Sequence, residues 1–339
     1  LERVLRKGLT TGVHATLAFS KALEAFLITN EKAVTKINKI DNDDLDVTKG
    51  CEIVLTVSAN KHDLIISKVE HEAQVFTVGT NKLYIYAGIG VGVVTKKGLK
   101  IQPGFPAINP VPLENIQNVF LRQMSEHHNF DIHCTVGVTN GRSIALQTAN
   151  AKVGVIGGIS ILGTSGIVKP VSSTAYIDSV KTEIEFAKQN GFEPLIFTLG
   201  NSAFRVSKER YKEEQIVEVA NFVYDSIEIA NELKVQQVKF VCGIGKMTKV
   251  YQGFKNTHNR FGVIDFERLQ KDIYDELNYK VDIESTKTVK GISQELEKIG
   301  LIEPLYDLIT KKANEQIKKW FPKSNVEAII LEQREVTGW

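Results

Sequence analysis

The sequence predicts two architectures in one chain: an α+β domain over residues 1–150 and a three-layer α/β/α domain over residues 151–339. Three observations lead there. The length of 339 residues exceeds what one hydrophobic core usually serves. In the first half, strand-like runs follow one another with helical patterns only at intervals. In the second half, strands alternate with helices, and each strand leaves through a Gly-containing loop.

Taken in order, Thr10 or Thr11 caps a helix that carries Val13, Leu17, Ala18, Leu23, Phe26 and Leu27 on one broad apolar face. An acidic loop follows, from Asp41 to Asp46. Strand-like runs come next: Ile53 to Val57, Leu64 to Ile66, and Val75 to Val78. A helix is expected after Pro110 and Pro112, with Leu113, Ile116, Val119 and Phe120 at helical spacing, then a strand from Ile132 to Val138. From about Lys152 the pattern changes. Val153 to Ile156 reads as a short buried strand that feeds a Gly-rich run. Ser172 or Ser173 starts a helix with Ile177, Val180, Ile184 and Ala187 on one face, stopped by Gly191. Pro194 to Leu199 is a strand with Gly200-Asn201 as its exit, and a long helical pattern runs through Ile216, Val219, Ala220, Val223, Ile227 and Ala230. Val238 to Cys242 is a further strand, leaving into Gly243-Ile244-Gly245-Lys246. Helical patterns around Leu296 to Trp320 and a last strand from Ala328 to Leu331 end the chain. Parallel strands with helices between them are the Rossmann-like arrangement, whose ligands lie at the carboxyl ends of the strands.

Composition narrows the function class. Hydrophobic residues make up 42% and charged residues 24%, the balance of an ordinary globular protein. A net charge of +2 argues against nucleic acid or an anionic membrane as partner. The three scattered cysteines, Cys51, Cys134 and Cys242, predict a reducing compartment without disulfides or a structural zinc. No apolar stretch approaches the ~20 residues of a membrane span, and charged Glu2 and Arg3 follow Leu1, unlike a signal peptide. A cytoplasmic protein is expected, with self-association left open.

The run from Gly157 to Pro170 holds four glycines (Gly157, Gly158, Gly163, Gly166) and three hydroxyls (Ser160, Thr164, Ser165) after a strand. Such glycines let backbone approach a ligand, and the N–H and hydroxyl groups suit an adenosine or a carboxylate. Neither the phosphate-loop nor the dinucleotide spacing is present. Gly243-Ile244-Gly245-Lys246, with Lys249 nearby, is a second Gly-containing exit whose bland reading is a plain turn. The acidic loop lacks the sixth-position Gly and distal Glu of a calcium loop. His127, His128 and His133 cluster without a completing ligand set and read best as an exposed helix end. His258, in Asn256-Thr257-His258-Asn259-Arg260, is the strongest single candidate for acid–base or substrate contact, against a hydrogen-bonded structural histidine. Pro103 to Pro112 concentrates four of the eight prolines, stiff enough to wall a pocket or to connect two domains.

In order, these segments resemble the cobalt-precorrin-5B (C1)-methyltransferase family (CbiD) of anaerobic cobalamin biosynthesis. The residues that carry the resemblance are Leu5 to Gly12, Asp43 to Thr48, Pro106 to Pro112, Gly157 to Pro170, Gly200-Asn201, Asn221-Phe222, Ile244-Gly245-Lys246 and Asn256-Thr257-His258. The sequence departs from the family pattern at His14, Leu113, Gly243 and Asn259, where a Cys-containing pair, an Arg, a His and a Ser are usual.

The resemblance implies methyl transfer from S-adenosylmethionine to a ring carbon of a cobalt tetrapyrrole, with cobalt present only as part of the substrate and no metal site on the protein. It implies cofactor contacts at Gly157, Gly158, Gly163, Thr164, Ser165, Gly166, Gly200, Asn201, Gly243 and Gly245. Substrate contacts are expected at Thr10, Thr11, Gly12, Asp44, Asn109, Lys169, Lys246 and Arg260, with His258 as catalytic candidate. The Gly-rich run and the exits at Gly200 and Gly243 are expected to face one cleft, closed by the Thr10 and Asn109 segments. Two competing readings are a tetrapyrrole-binding protein with altered catalysis and a nucleotide-phosphate-dependent small-molecule kinase, the latter disfavoured by the loop spacings.

Overall fold

A computed structural model describes residues 6–40, 47–163, 166–168, 173–286 and 288–333. The chain divides into two compact units, Leu1–Ser173 and Thr174–Trp339. The Gly-rich run therefore lies in the first unit, whereas the sequence pattern put residues 151–173 with the second.

The first unit contains β1 (Gly8–Leu9), α1 (Thr11–Thr29), β2 (Ala33–Asn38), β3 (Glu52–Ser58), β4 (Gln74–Val78), β5 (Asn81–Ala87), β6 (Gly90–Val91) and β7 (Val93–Val94). It continues through α2 (Pro110–Gln123), β8 (Asp131–Val138), α3 (Gly141–Ala145), β9 (Val155–Ile156), β10 (Gly158–Ile159) and β11 (Ile167–Val168). Its main sheet has the order β2-β3-β8-β5-β4, antiparallel except for the β5–β8 pair. Period-two alternation sends Ile53, Leu55 and Val57 to the buried face with Ile132, Cys134 and Val136. Helix α1 packs on β3 and α2, and burying Phe19, Leu23 and Phe26 stabilises by roughly 1.5–3 kcal/mol each.

Four expectations fail here. Leu64 to Ile66 is not a strand: Asn60 caps a tight turn over Lys61–Asp63, and only Ile66 makes an isolated bridge, to Gly88. Val153 to Ile156 shortens to β9, antiparallel to β7, and so belongs to no parallel sheet. Pro103 to Pro112 does not link the units; it bonds back onto its own unit through Val94 N–H to Phe105 O (3.0 Å) and Ala107 N–H to Gly92 O (2.8 Å). His133 lies on β8 rather than at a helix end.

The second unit contains α4 (Ser173–Gln189, whose first residue ends the first unit), β12 (Leu195–Leu199), α5 (Asn201–Ser207), β13 (Ile216–Glu218), α6 (Val223–Glu232), β14 (Val238–Cys242) and α7 (Ile244–Tyr251). Then follow α8 (Phe266–Leu277), α9 (Val289–Glu297), α10 (Ile302–Trp320) and β15 (Val326–Ile330). The four strands are all parallel, in the order β13-β12-β14-β15. Leu195, Phe197 and Leu199 point into a large core with residues of α4 and of α6 through α10. Ile196, Ile216, Val241 and Ile329 point the other way, onto Ala203 of α5. The helical pattern read from Ile216 is interrupted. Its first residues pair with β12 as an edge strand, Ala220 turns with a left-handed φ of 46°, and the helix starts at Val223.

Candidate functional site

In the first unit, the N-termini of α1 and α2 meet one stretch of the Gly-rich run. Thr10 caps α1, its hydroxyl accepting from Val13 N–H at 3.4 Å, while its own N–H donates to Gly166 O at 3.1 Å. The Thr11 hydroxyl donates to Leu162 O (3.2 Å) and accepts from Leu162 N–H (2.9 Å). Gly12 N–H donates to Leu162 O at 2.8 Å. Asn109 caps α2, and its N–H donates to Ile161 O at 3.0 Å. Thr10, Thr11, Gly12 and Asn109 are thus brought to one stretch, residues 161–163.

Packing between protein segments explains several glycines here. A Cβ on Gly12 would come 2.5 Å from Pro112 Cγ, and one on Gly163 would come 2.5 Å from Thr10 Oγ1. At Gly158 it would stand 2.2 Å from the Gly90 carbonyl, against which β10 pairs with β6. At Gly157 it would meet Val69 Cγ2 at 2.7 Å. These glycines admit neighbouring chain, so the backbone approach read from the sequence is real but is made to protein. Asp44, Thr164, Ser165 and Lys169 lie outside the described residues.

The exits of the second unit differ. Gly200 has φ 96°, a conformation that favours glycine, and nothing among the described residues lies within 4 Å of a Cβ built on it. Asn201 begins α5 and is exposed. Two residues before Gly200, the Thr198 hydroxyl is buried without a hydrogen-bond partner among the described residues. On the adjacent strand, Gly243 precedes α7, and the Glu332 carboxylate accepts from Ile244 N–H at 3.1 Å, complementing the helix N-terminus. Gly245 again has nothing within 4 Å of a built Cβ.

Beyond this exit lies a network that sequence reasoning saw only in pieces. Lys246 Nζ donates to Asn221 Oδ1 (2.8 Å) and to Thr257 O (3.0 Å). Buried Lys249 donates to Thr257 O (3.2 Å), Asn259 Oδ1 (2.8 Å) and Gly262 O (3.0 Å). The Thr257 hydroxyl donates to Asn221 Oδ1 at 2.9 Å. Asn221, Lys246 and Thr257, far apart in sequence, are one constellation, and Lys249 pins the segment that carries His258 and Arg260. Burial pushes the Lys246 ammonium below its ordinary value, with the neighbouring Lys249 charge adding to the shift; burial lowers Lys249 as well.

His258 is exposed, and its Nδ1 accepts from Arg260 N–H at 3.2 Å. That bond leaves the proton of the neutral ring on Nε2, making His258 a donor toward an incoming group rather than a ready base. The exposed Arg260 guanidinium lies 4.6 Å from the centre of the Phe261 ring.

The four departures have defined places. His14 is buried, with Nδ1 2.8 Å from Thr10 O and Nε2 accepting from Ile40 N–H at 3.1 Å. Leu113 is buried in α2, Asn259 serves Lys249, and Gly243 lies beside Glu332. His133 stacks on Tyr84 at 4.6 Å between ring centres, and no cluster of three metal-ligating side chains occurs among the described residues.

Comparison with known proteins identifies the family. Residues 22–170 match the family described as CbiD. The chain is 33% identical over 307 residues to a cobalt-precorrin-5B C(1)-methyltransferase of Methanococcus maripaludis, covering 89% of this chain and 80% of that protein. It is 31% identical over 324 residues to the protein of the same name from Methanocaldococcus jannaschii, covering 91% and 81%. A crystal structure of a cobalamin biosynthesis protein (cbiD) from Archaeoglobus fulgidus matches at 22% identity and a TM-score of 0.34, over 79% of this chain and 84% of that one. Identity of 33% and 31% to these relatives, over 89% and 91% of this chain, places it in the CbiD family.

Proposed function

We propose that the chain methylates C1 of cobalt-precorrin-5B, as its relatives' names describe, with S-adenosylmethionine as the methyl donor, and that the parallel sheet acts as a Rossmann-like cofactor platform. The observation that carries the cofactor placement is the pair of adjacent strand exits, Gly200-Asn201 after β12 and Gly243 to Gly245 after β14. Among the described residues, nothing lies within 4 Å of a Cβ built at Gly200 or Gly245, and the buried Thr198 hydroxyl next to the first exit has no hydrogen-bond partner. These features fit a ligand with hydroxyl, amine and carboxylate groups at the carboxyl ends of parallel strands. Gly157 and Gly158, filled by neighbouring chain, keep a scaffolding role in this reading.

When bound, S-adenosylmethionine supplies an electrophilic methyl. The chain's own contribution would be alignment of the two ligands, the kind of approximation that lowers a barrier by several kcal/mol. Arg260 and the His258 Nε2–H meet the anionic side chains of the tetrapyrrole. Cobalt enters with the substrate.

The test is incubation with labelled S-adenosylmethionine and a cobalt-precorrin pool. Methylated product is expected; binding without transfer marks a tetrapyrrole carrier, and binding of neither ligand sinks the reading. His258→Ala should lower turnover while the chain stays folded, with no more loss of stability than the turn cap to Arg260 N–H supplies. Unchanged methylation demotes His258 to a cap of its turn.

A further inference from the structure

Lys246 and Lys249 donate to the same carbonyl, that of Thr257, at 3.0 and 3.2 Å, so their charges lie within the ~6 Å over which like charges repel appreciably. Their remaining partners, Asn221 Oδ1, Asn259 Oδ1 and Gly262 O, are all neutral oxygens, and neither ammonium has a carboxylate partner among the described residues. Buried charge without a counter-ion is costly, and a fold that keeps two such ammoniums together gains when an anion arrives. The two lysines are unequal. Lys249 uses all three N–H groups. Among the described residues Lys246 uses two and keeps one, is only half-buried, and follows Gly245, beside which no described residue lies within 4 Å of a built Cβ.

We infer that Lys246 is the donor of a carboxylate subsite: its free N–H binds a ligand carboxylate, and Lys249 is a positioning residue that fixes the Thr257 carbonyl on which Lys246 is held. The inference rests on the methyltransferase reading for the identity of its ligands, which offer two sources of that chemistry. One is the methionine carboxylate of S-adenosylmethionine. The other is an acetate or propionate side chain of the tetrapyrrole.

The experiment is a double-mutant cycle in which one partner is the ligand's carboxylate. Binding to the full chain is measured by calorimetry for S-adenosylmethionine and for decarboxylated S-adenosylmethionine, with wild type, Lys246→Met and Lys246→Arg. The same set is run with cobyrinic acid, a cobalt corrinoid with free carboxylates, and with its heptamethyl ester. For the ligand that uses the subsite, removing the carboxylate weakens wild-type binding by about ten- to hundred-fold. In Lys246→Met that penalty shrinks to within about two-fold, and Lys246→Arg recovers part of it. Lys249→Met is expected to reduce the same coupling while leaving the other ligand's affinity unchanged, an asymmetry that general destabilisation does not produce. The wild-type comparison of acid and carboxylate-free ligand needs no variant, so a variant that fails to fold does not rescue the idea. If neither pair of ligands shows coupling to Lys246, the subsite is refuted, whatever the methylation assay gives. Coupling without methyl transfer leaves the subsite standing and overturns the reaction instead.

Discussion

Glycine at 158 and glycine at 245 look alike in the sequence and answer to different forces. At Gly158 the Gly90 backbone occupies the space a side chain needs, with the built Cβ 2.2 Å from both its carbonyl carbon and oxygen. Backbone cannot swing aside as a side chain can, so Gly158→Ala should destabilise by at least about 1–3 kcal/mol, read as a lower urea midpoint. Gly245 lies inside the first turn of α7 with open space beside it. There Gly245→Ala should raise stability by up to about 1 kcal/mol, because alanine is the better helix former. If S-adenosylmethionine approaches this exit, the same methyl should weaken its binding. A variant that is more stable and binds the cofactor normally would argue that the open space at α7 is ordinary surface.

At the scale of elements, legibility followed periodicity. Helices α1 and α2 are readable because Thr10 and the Pro110/Pro112 pair stand at the start of long apolar stripes. Strand β13 was not, since its residues continue the helical spacing of α6; only pairing with β12 makes them a strand, and that contact is non-local. Strand ends also carry ties that no pattern shows. Glu52, at the start of β3, accepts from the Thr139 hydroxyl at 2.8 Å, just past β8, and pairs with Lys36 of β2 at 3.3 Å. The Thr139 hydrogen bond, followed by the one from Lys36, holds the Glu52 carboxyl below its ordinary 4.5. With the folded value depressed, the contribution is fully present above pH 4.5 and is lost as pH falls through the lowered value. Wild type should therefore be more stable than Glu52→Gln at neutral pH, with the gap closing in acid. A gap that stays constant from pH 7 to well below 4.5 would show that the charge of Glu52 is irrelevant.

At the scale of the whole molecule, the sequence located the motifs and misjudged which segments they serve. The Gly-rich run reads as the exit of a parallel strand because a short apolar run precedes it; that run is β9, bonded to β7 of the first unit. Two further signals were invisible, namely the joining of Asn221, Lys246 and Thr257 and the orphaned Thr198 hydroxyl, since both arise only when β12, β13 and β14 lie side by side. The placement of S-adenosylmethionine can be decided by hydrogen exchange on the full chain. The Gly245 N–H makes no hydrogen bond among the described residues, so a ligand at these exits should slow exchange there and in the segments 200–204 and 243–247. Segment 157–159 already exchanges hydrogen bonds with β6 and should be unaffected. Protection confined to 161–168 would instead return the cofactor to the Gly-rich run, where α1 and α2 begin. The exits would then be left to the tetrapyrrole, and of the two carboxylate sources for Lys246 only the substrate's own side chains would remain.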